Sequence, residues 1–567
     1  MQNNMKFKIS PVIKTAALAV LLSGSFSCKN MYDVEPQNQV EYKNVYQNIY
    51  DANAAVMGIY GKLLGLAQQY EIMNELRADL MEVTPNAGAE LQQINTHNVQ
   101  AGNSFADPQP FYAVILNCND VMKNLKIMYD TQKLTANDFN QRWSDVAALR
   151  SWLYFQLGLH FGEVPYVTES LTNAADVRDA SKYPRLTLDA LVKTLITFME
   201  ALPFKDPYPA ANSLVTQIDG YPSKIFFINK NCLLGDLYLW NNDYHNAAVV
   251  YKRVLETSTP VGPSDSYNYF NTYTLNSGTD NDAVTVSNWQ ALFSRSPQDR
   301  EYQTEWIWSM VFDKAFTPEN PFVNLFANSG GSYLVKPSQT AIDNWNAQAQ
   351  NDGTPFDYRG PNTSYKIING QPVIVKFLYN YLNTSTGLPI NLLEKSGKWF
   401  LYRTATLHLR YAEAANRDGQ TKIAWALVNA GIKSAYDDLN QPDPTLRRIT
   451  LQPTPYDFDA RKLDAPSIRG KYHRNLGIRA RVGTTLLPVT FQQDMLGMEN
   501  KIIDEAALEL AFEGNRWQDL MRIANRRNDP AFLADKVYNK LLKDGNPAAA
   551  TVRAKLMNKA NWFLPFK

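Results

Sequence analysis

The chain has 567 residues, of which 45% are hydrophobic and 20% charged, an ordinary composition for a globular protein. Its 56 basic and 55 acidic side chains nearly cancel, which argues against a nucleic-acid partner, because such a partner requires a strongly basic surface. The composition also argues against a disordered chain. Aromatic residues make up 12% of the chain, and we expect most of them in the core and a handful at a binding surface.

Residues 1–27 are typical of a secretory signal peptide. Three lysines precede a short apolar run at 15–24, which is too short to cross a bilayer. The small residues Ser25 and Ser27 before Cys28 are similar to a lipobox, although Ser25 stands where leucine is usual. We therefore predict that Cys28 becomes the acylated N-terminal residue, a lipid anchor for the mature protein. No later stretch of the sequence reaches the roughly 18 apolar residues of a transmembrane helix.

The polar residues 28–43 predict a tether, and the body is expected at 44–567. Within the body, apolar residues recur at three- and four-residue spacing. This pattern predicts helices at 44–66, 108–129, 138–161, 187–201, 223–240, 244–257, 400–417, 421–436 and 501–527. The fold is therefore expected to be mainly α, with a helical scaffold at about 44–260 and 400–567.

One helix pair has the spacing of a tetratricopeptide repeat. Gly235 and Ala247 are small at the positions where two antiparallel helices would cross closely, and Tyr238 and Tyr251 can fill the space beside them. The turn signal at 241–243 lies between the two helices. We predict tetratricopeptide-like pairs as the scaffold, with a second, less regular pair at 404–436.

Helical periodicity weakens between about 261 and 399, and again at 437–500. Gly, Pro, Asn, Asp, Ser and Thr become frequent there, with aromatic residues between them. A long irregular region in a globular protein is usually functional. We interpret these residues as a loop-rich ligand lobe that contains little β structure.

Several positions at 501–527 resemble the C-terminal signature of the SusD/RagB family. The matching positions are Glu505, Glu509, Leu510, Phe512, Glu513, Gly514, Arg516, Asp519, Leu520 and Arg522. Residues 146–166, 225–255, 402–416 and the tail at 561–566 also look like segments of this family, in the same order. Ala506, Ala507 and Asn515 depart from its usual arginine and histidine. We interpret the signature as structural, with Glu513 and Arg516 pairing at i,i+3 and Gly514 allowing a close approach.

The resemblance implies a specific biology. SusD/RagB members are outer-membrane lipoproteins of Bacteroidetes that face the cell surface. They bind oligosaccharides, or in some cases peptides, and deliver them to a SusC-like TonB-dependent transporter. The resemblance thus implies a mainly helical binding protein without a cofactor and without catalysis.

Motifs for enzyme chemistry are absent from the sequence. The five histidines form no zinc-binding spacing, and no phosphate loop or nucleophile elbow occurs. Asp280, Asn281 and Asp282 are read as a polar turn rather than a calcium site, so no metal site is predicted. Cys118 and Cys232 lie in apolar helical stretches and are expected to be buried free thiols.

A sugar site needs flat aromatic faces together with planar groups that bind adjacent hydroxyls. Two segments, 74–105 and 286–345, supply both. The candidate ligand-binding residues are Arg77, Asp79, Asn98, Trp289, Arg295, Trp306, Tyr333 and Trp345. Trp306 alternates with Trp308 as in a strand, so both could instead be core. Arg77 and Asp79 could instead form an ion pair of the scaffold.

Three alternatives remain open from the sequence. A peptide or glycopeptide could replace the glycan as ligand. Two facing carboxylates could make the protein a secreted glycoside hydrolase, which a count of acidic residues does not exclude. A purely helical scaffold that binds only proteins would lack a small-ligand cleft.

Overall fold

The computed structural model describes residues 45–171, 181–218, 220–257, 269, 286–294, 305–314, 316–383 and 385–566. The predicted signal peptide, the tether, Cys28, the 280–282 turn and Arg295 lie outside these residues. Asn48–Lys567 form one compact unit.

Helices dominate the described chain, as predicted. They are α1 (Ile49–Leu64), α2 (Ala67–Glu71, followed by a π-turn at Ile72–Leu76), α3 (Ala89–Asn95), α4 (Gln109–Asp130), α5 (Ala136–Phe161), α6 (Leu188–Glu200), α7 (Lys230–Trp240), α8 (Tyr244–Leu255), α9 (Val286–Ser294), α10 (Pro321–Phe326), α11 (Gln339–Asn346), α12 (Thr404–Arg417), α13 (Thr421–Val428), α14 (Gly431–Ala435), α15 (Ile478–Arg481), α16 (Met495–Glu509), α17 (Arg516–Arg526), α18 (Pro530–Lys543) and α19 (Ala549–Leu556). Eight of these are absent from the predicted set: α2, α3, α9, α10, α11, α15, α18 and α19. Among them, α18 carries a usual start signal, because Asp529 caps it and Pro530 begins it.

All the sheets in the described ranges are antiparallel and two-stranded. The strands are β1 (Met81–Val83), β2 (Glu163–Pro165), β3 (Arg185–Thr187), β4 (Gln217–Ile218), β5 (Tyr221–Pro222), β6 (Trp306–Phe312), β7 (Val335–Pro337), β8 (Tyr365–Ile368), β9 (Gln371–Ile374), β10 (Leu382–Asn383), β11 (Leu388–Pro389), β12 (Gly397–Arg403), β13 (Lys462–Leu463) and β14 (Ile468–Arg469). The pairs are β1–β7, β2–β3, β4–β5, β6–β12, β8–β9, β10–β11 and β13–β14. A mainly α fold with little β structure is therefore confirmed.

The scaffold is a row of helices in which each packs on the next. Helices α4 to α8 make consecutive contacts, and α8 continues the row to α12 and then α13. The tetratricopeptide-like pair α7–α8 has the close crossing that the sequence predicts. A Cβ atom added to Gly235 would lie 2.3 Å from Cε1 of Tyr251, so only glycine fits between these helices.

Four predicted helices are interrupted. The run at 223–240 becomes α-helical only at Lys230, and the run at 421–436 breaks between α13 and α14. The run at 400–417 begins as strand β12 and becomes α12 only at Thr404, because β12 is buried along its whole length and its apolar pattern does not distinguish strand from buried helix. The run at 501–527 breaks between α16 and α17, where Phe512 and Gly514 adopt φ of 73° and 68°. Glu75 accepts the backbone N–H groups of Phe512, Asn515 and Arg516 and holds this turn in place.

A buried network of charges joins the loop-rich region to the family signature. Arg403 at the end of β12 pairs with Glu305, Glu509 and Glu513 at 2.7–2.8 Å. All four side chains are 0–3% exposed. Burial favours the neutral form of Glu509, but its arginine partners outweigh it and hold the pKa of this carboxyl well below the ordinary value.

The signature residues are structural, but their pairing differs from the prediction. Glu513 binds Arg403 and Lys376 rather than Arg516. Arg516 instead pairs with Asp79. The turn at 510–515 takes Glu513 out of helical register with Arg516, which is why the i,i+3 pair does not form. Gly514 does permit a close approach, since a Cβ there would lie 2.2 Å from Cε1 of Tyr70.

Within the described residues, no helix is both long enough and apolar enough to span a bilayer. The two cysteines, Cys118 and Cys232, are buried and free, as expected. Burial raises the pKa of the Cys118 thiol to about 12, so it remains protonated at neutral pH.

Candidate ligand-binding site

The structure brings together the two segments that the sequence singles out. Strand β1 of the first segment pairs with β7 of the second, with Glu82 opposite Lys336. Next to this pair, Asn86 donates from its side chain to the carbonyl of Ser332 at 3.1 Å. The individual candidate residues are nevertheless placed differently from the expectation.

The three candidate tryptophans are core residues. Trp289, Trp306 and Trp345 are each 0% exposed. Trp306 stacks on Phe400 with ring centroids 4.3 Å apart, and Trp345 donates its indole N–H to the carbonyl of Leu508 at 3.1 Å. Their proposed role as ligand-stacking faces is therefore corrected: their rings contact other side chains and leave no face for a solute.

Arg77, Asp79 and Tyr333 are also buried. The Arg77 guanidinium lies 4.1 Å from the centroid of Trp517, and Asp79 pairs with Arg516 rather than with Arg77. Tyr333 donates its hydroxyl to the carbonyl of Pro372 at 2.8 Å. These groups hold segments of the chain together, which explains their burial. Asn98 is exposed.

A different cleft combines aromatic rings with unengaged planar groups. We call it the aromatic cleft. It has a volume of about 560 Å³, within the usual size range of small-molecule sites. It lies between the β2–β3 hairpin, the start of α6, α17 and the C-terminal segment, and its lining includes Phe161, Glu163, Arg185, Asp189, Trp240, Met521, Asn525, Lys559, Trp562, Phe563 and Phe566.

The rings of the C-terminal segment are positioned by the end of α5. The backbone N–H of Leu564 donates to the carbonyl of His160 at 2.7 Å. Gly162 ends α5 with φ of 77°, and a Cβ there would lie 2.8 Å from the ring of Phe563. The missing side chain thus lets the Phe563 ring lie flat against the turn. Trp562 is fixed by its own indole N–H, which donates to the carbonyl of Leu556 at 2.7 Å.

The aromatic rings of the C-terminal segment differ in the fraction that is exposed to solvent in the aromatic cleft. Trp562 is 2% exposed and forms the floor. Phe563 and Phe566 are half-buried, so part of each ring is accessible. The Arg185 guanidinium lies 4.6 Å from the centroid of Phe566, a cation–π contact that orients both groups.

Three planar charged groups in the aromatic cleft have no hydrogen-bond partner in the described chain: Glu163, Arg185 and Asp189. Glu163 and Arg185 come from the paired strands β2 and β3, on which Glu163 faces Thr187 across the ladder. Asp189 lies in the first turn of α6. With Lys559, the cleft has two acidic and two basic side chains, a balance that suits an uncharged ligand with many hydroxyl groups.

The sequence contained one signal for this cleft, the aromatic run at 561–566. From the sequence alone, these residues indicate only a resemblance to the closing segment of the family. The other lining residues are ordinary surface types at 163–189 and 521–525, and only the packing of the chain brings them to the same place.

Comparisons with known proteins agree on the family. The SusD family model matches residues 471–565. A SusD superfamily protein of Bacteroides vulgatus is similar in structure, with a TM-score of 0.60, 15% identity, and coverage of 91% of this chain and 96% of that one. A SusD-like carbohydrate binding protein of Bacteroides fragilis has a TM-score of 0.55 and 16% identity, covering 86% and 88%. A laminarin binding SusD-like protein has a TM-score of 0.53 and 16% identity, with coverage of 92% of this chain and 96% of that one.

No curated protein matches the sequence. The family match covers the C-terminal signature, and the similarity of fold extends over most of the chain. The C-terminal part of the chain therefore matches the SusD family model, and the chain as a whole has the fold of SusD-like structures.

Proposed function

We propose that this protein is a surface lipoprotein that binds an oligosaccharide nutrient without altering it and delivers it to a SusC-like TonB-dependent outer-membrane transporter. One observation supports the binding role above the others: the side chains of Glu163, Arg185 and Asp189 have no hydrogen-bond partner in the described chain and line the same cleft as the partly accessible rings of Phe563 and Phe566. A pyranose needs this combination, because its C–H face packs on a ring while adjacent hydroxyls bind planar groups.

Two proteins of similar structure, a SusD-like carbohydrate binding protein and a laminarin binding SusD-like protein, support a glycan as the ligand. A linear glycan would lie along the open side of the aromatic cleft, with Phe566 against one sugar ring. Arg185 would donate to hydroxyl oxygens, while Glu163 and Asp189 would accept from hydroxyl groups. Asn98, which is exposed, and Arg295, which lies outside the described residues, remain predicted ligand contacts.

Membrane attachment and the transporter partnership rest on the family and on the N-terminal sequence. The family resemblance places such proteins at the cell surface of Bacteroidetes, anchored through an acylated cysteine. In this chain Cys28 would provide the anchor, and residues 28–43 would be the tether. Cells supplied with a radioactive fatty acid should incorporate the label into the native protein. A Cys28→Ala variant should remain unlabelled.

A hydrolase would need a carboxyl group with a raised pKa beside the bound sugar. Burial raises the pKa of five carboxyls of the described chain, those of Glu71, Glu75, Asp145, Asp236 and Asp544. The pKa reaches about 8 in Glu75 and about 6 in Asp145. None of the five lines the aromatic cleft. This favours binding over hydrolysis at the aromatic cleft.

Calorimetry with a panel of neutral oligosaccharides, including laminarin fragments, tests the proposal. Phe566→Leu and Arg185→Gln should each weaken binding about tenfold, the equivalent of about 1.4 kcal/mol for one ring contact or charge-assisted hydrogen bond. Phe532→Leu, at another half-buried phenylalanine, is the matched control and should bind as the native protein does.

Two results would contradict the proposal. If the native protein binds peptides but none of the glycans, the ligand class is wrong and the peptide alternative holds. If glycans are shortened during the titration, and a single carboxyl substitution stops this, the protein is a hydrolase.

A further inference from the structure

A second cleft, with different chemistry, lies between α11, α16 and α18. We call it the polar cleft. Its volume is also about 560 Å³, and it shares no lining residue with the aromatic cleft. Five cationic side chains but only three anionic ones line it. One of the five, Lys543, pairs with Asp343 at 2.6 Å, so the remaining excess is one positive charge. The aromatic cleft is balanced in charge, so the two would select different ligands.

The inner wall of the polar cleft consists of fixed ion pairs. Arg516 binds Asp79 at 2.6 Å, and Arg479 binds Glu505 at 2.6 Å. Burial would raise the pKa of Asp79, but Arg516 outweighs burial and holds this pKa below its ordinary value. These four charges therefore cancel within the wall, and neither arginine is released for a ligand.

The outer part of the polar cleft holds the positive excess. Lys501 on α16 forms no ion pair in the part of the chain that the structure describes; its ammonium group lies 5.4 Å from the ring centroid of Phe491. Lys536 on α18 lies 3.6 Å from Asp504, a loose pair whose side chains are 27% and 53% exposed. An anion between these lysines would gain a partner without breaking a buried contact.

Uncharged polar groups line the same space. The hydroxyl of Thr340, on α11, is buried and has no hydrogen-bond partner among the residues that the structure describes. Asn344 and Asn539 add amide groups on opposite sides of the cleft. A buried hydroxyl without a partner is costly, and a ligand oxygen in the polar cleft would satisfy it.

We infer that the polar cleft binds a negatively charged oxygen group of a glycan, either a uronate carboxylate or a sulfate ester. Lys501 and Lys536 supply the opposing charge, and Thr340 donates to a ligand oxygen. That the anion belongs to a glycan rests on the proposed function, whereas the preference for an anion rests on the polar cleft alone.

Calorimetry with three trisaccharide probes tests this inference: oligogalacturonate, its methyl ester and a sulfated galactan fragment. The ester has the same rings without the charge. We expect the acid or the sulfated fragment to bind at least about five times more tightly than the ester at low salt, and the difference to shrink in high salt, which screens exposed charges. Which of the two binds identifies the source of the anion.

Substitutions locate the binding. Lys501→Gln should weaken binding of the acidic probe about three- to fivefold, the range for a partly exposed ion pair, and Lys501→Gln/Lys536→Gln should weaken it further. Neither should change binding of a neutral laminarin fragment. Lys123→Gln, an exposed lysine on α4, is the matched control and should leave all probes unaffected.

The inference fails if the double lysine variant binds the acidic probe as tightly as the native protein, or if neither charged probe exceeds the ester. Phe566→Leu separates this failure from failure of the proposed function. Loss of neutral-glycan binding in that variant, with acidic binding retained, supports two separate sites. Absence of any neutral-glycan binding in the native protein counts against the proposed function and not against the polar cleft.

Discussion

Arg516, the first residue of α17, forms a bidentate ion pair with Asp79, which lies just after the π-turn near the start of the body. Arg516 Nε and Nη2 donate to the two Asp79 carboxylate oxygens at 2.6 and 2.8 Å, across a separation of 437 residues. Both side chains are about 3% exposed. The family signature thus closes the fold by binding its N-terminal part, which is a structural role.

Asp79→Asn should strongly destabilise the protein. The amide keeps the shape of the side chain but leaves the buried guanidinium of Arg516 without a counter-charge, which costs about 3–5 kcal/mol. The free energy of unfolding from urea titration measures this loss. Asp535→Asn is the matched control, because its pair with Arg553 is 42–48% exposed and its removal should cost less than about 1 kcal/mol. Equal losses in the two variants would refute the buried-pair explanation.

Gly235→Ala should separate the tetratricopeptide-like helices α7 and α8. The added methyl group would lie 2.3 Å from Tyr251 Cε1, and such overpacking costs about 1–3 kcal/mol. Gly58→Ala, within α1, has no neighbouring atom within 4 Å of the new Cβ and should stabilise the protein by about 0.5–1 kcal/mol. Thermal and urea unfolding of both variants measure the two changes in the free energy of unfolding. If both variants are less stable than the native protein, the loss at Gly235 cannot be attributed to the close crossing of α7 and α8.

The local pattern of apolar residues was sufficient to predict much of the helical scaffold. The predicted helices at 108–129 and 138–161 agree with α4 and α5 to within two residues at each end, because their apolar spacing and caps are local properties. Gly235 and Gly514 were also recognised correctly, since a small residue between large ones indicates close approach. Trp306 and Trp308 lie in one buried strand, as their alternation allowed.

The candidate site could not be predicted in the same way. A tryptophan that stacks on a sugar and one that fills a core have the same residue type, and only tertiary packing showed that Trp289 and Trp345 are enclosed. The break between α16 and α17 depends on Glu75, whose carboxylate reaches the turn from more than 430 residues away. A contact between residues so far apart in the chain cannot be recognised from the local sequence.

His408 makes stability depend on pH. Burial lowers its pKa to about 4, despite its contact with the carbonyl of Tyr269. In the unfolded chain this histidine takes up its proton near pH 6.5, whereas in the folded protein it does so only near pH 4. Protonation therefore favours the unfolded chain, so the free energy of unfolding is highest above pH 6.5 and falls as the pH drops towards 4. The expected loss from this group at pH 5 is about 2 kcal/mol relative to pH 7.

His408→Gln removes the titrating group at the same site. The variant is expected to be less stable at pH 7, yet its free energy of unfolding should fall less between pH 7 and pH 5 than that of the native protein. The native protein, measured over the same pH range, gives the reference slope. If the His408 variant also keeps that slope, other groups determine the acid sensitivity.

This protein has an exposed apolar surface on which we expect the proposed transporter to dock. Phe316, Leu388, Ile390, Leu392 and Leu393 are 57–85% exposed; we call them the apolar patch. The ion pairs Lys314–Glu394 at 3.6 Å and Lys395–Glu319 at 2.8 Å connect the two loops that form it. Exposed apolar clusters of this kind mark interaction sites. Because the flanking charges are paired, the surface suits a neutral protein face better than an anionic lipid surface.

Leu392→Ser/Leu393→Ser should therefore weaken association with the co-expressed TonB-dependent transporter by at least about tenfold, since full burial of a leucine side chain is worth about 1.5–3 kcal/mol. Leu439→Ser/Leu451→Ser changes two leucines of similar exposure, 74% and 68%, and should leave association intact. Co-purification from detergent-solubilised membranes measures the effect, and calorimetry should show unchanged glycan binding in both variants. Retained association in the first variant would place the transporter on another face, because two serines at the centre of an apolar interface cannot restore the burial that the leucines provide.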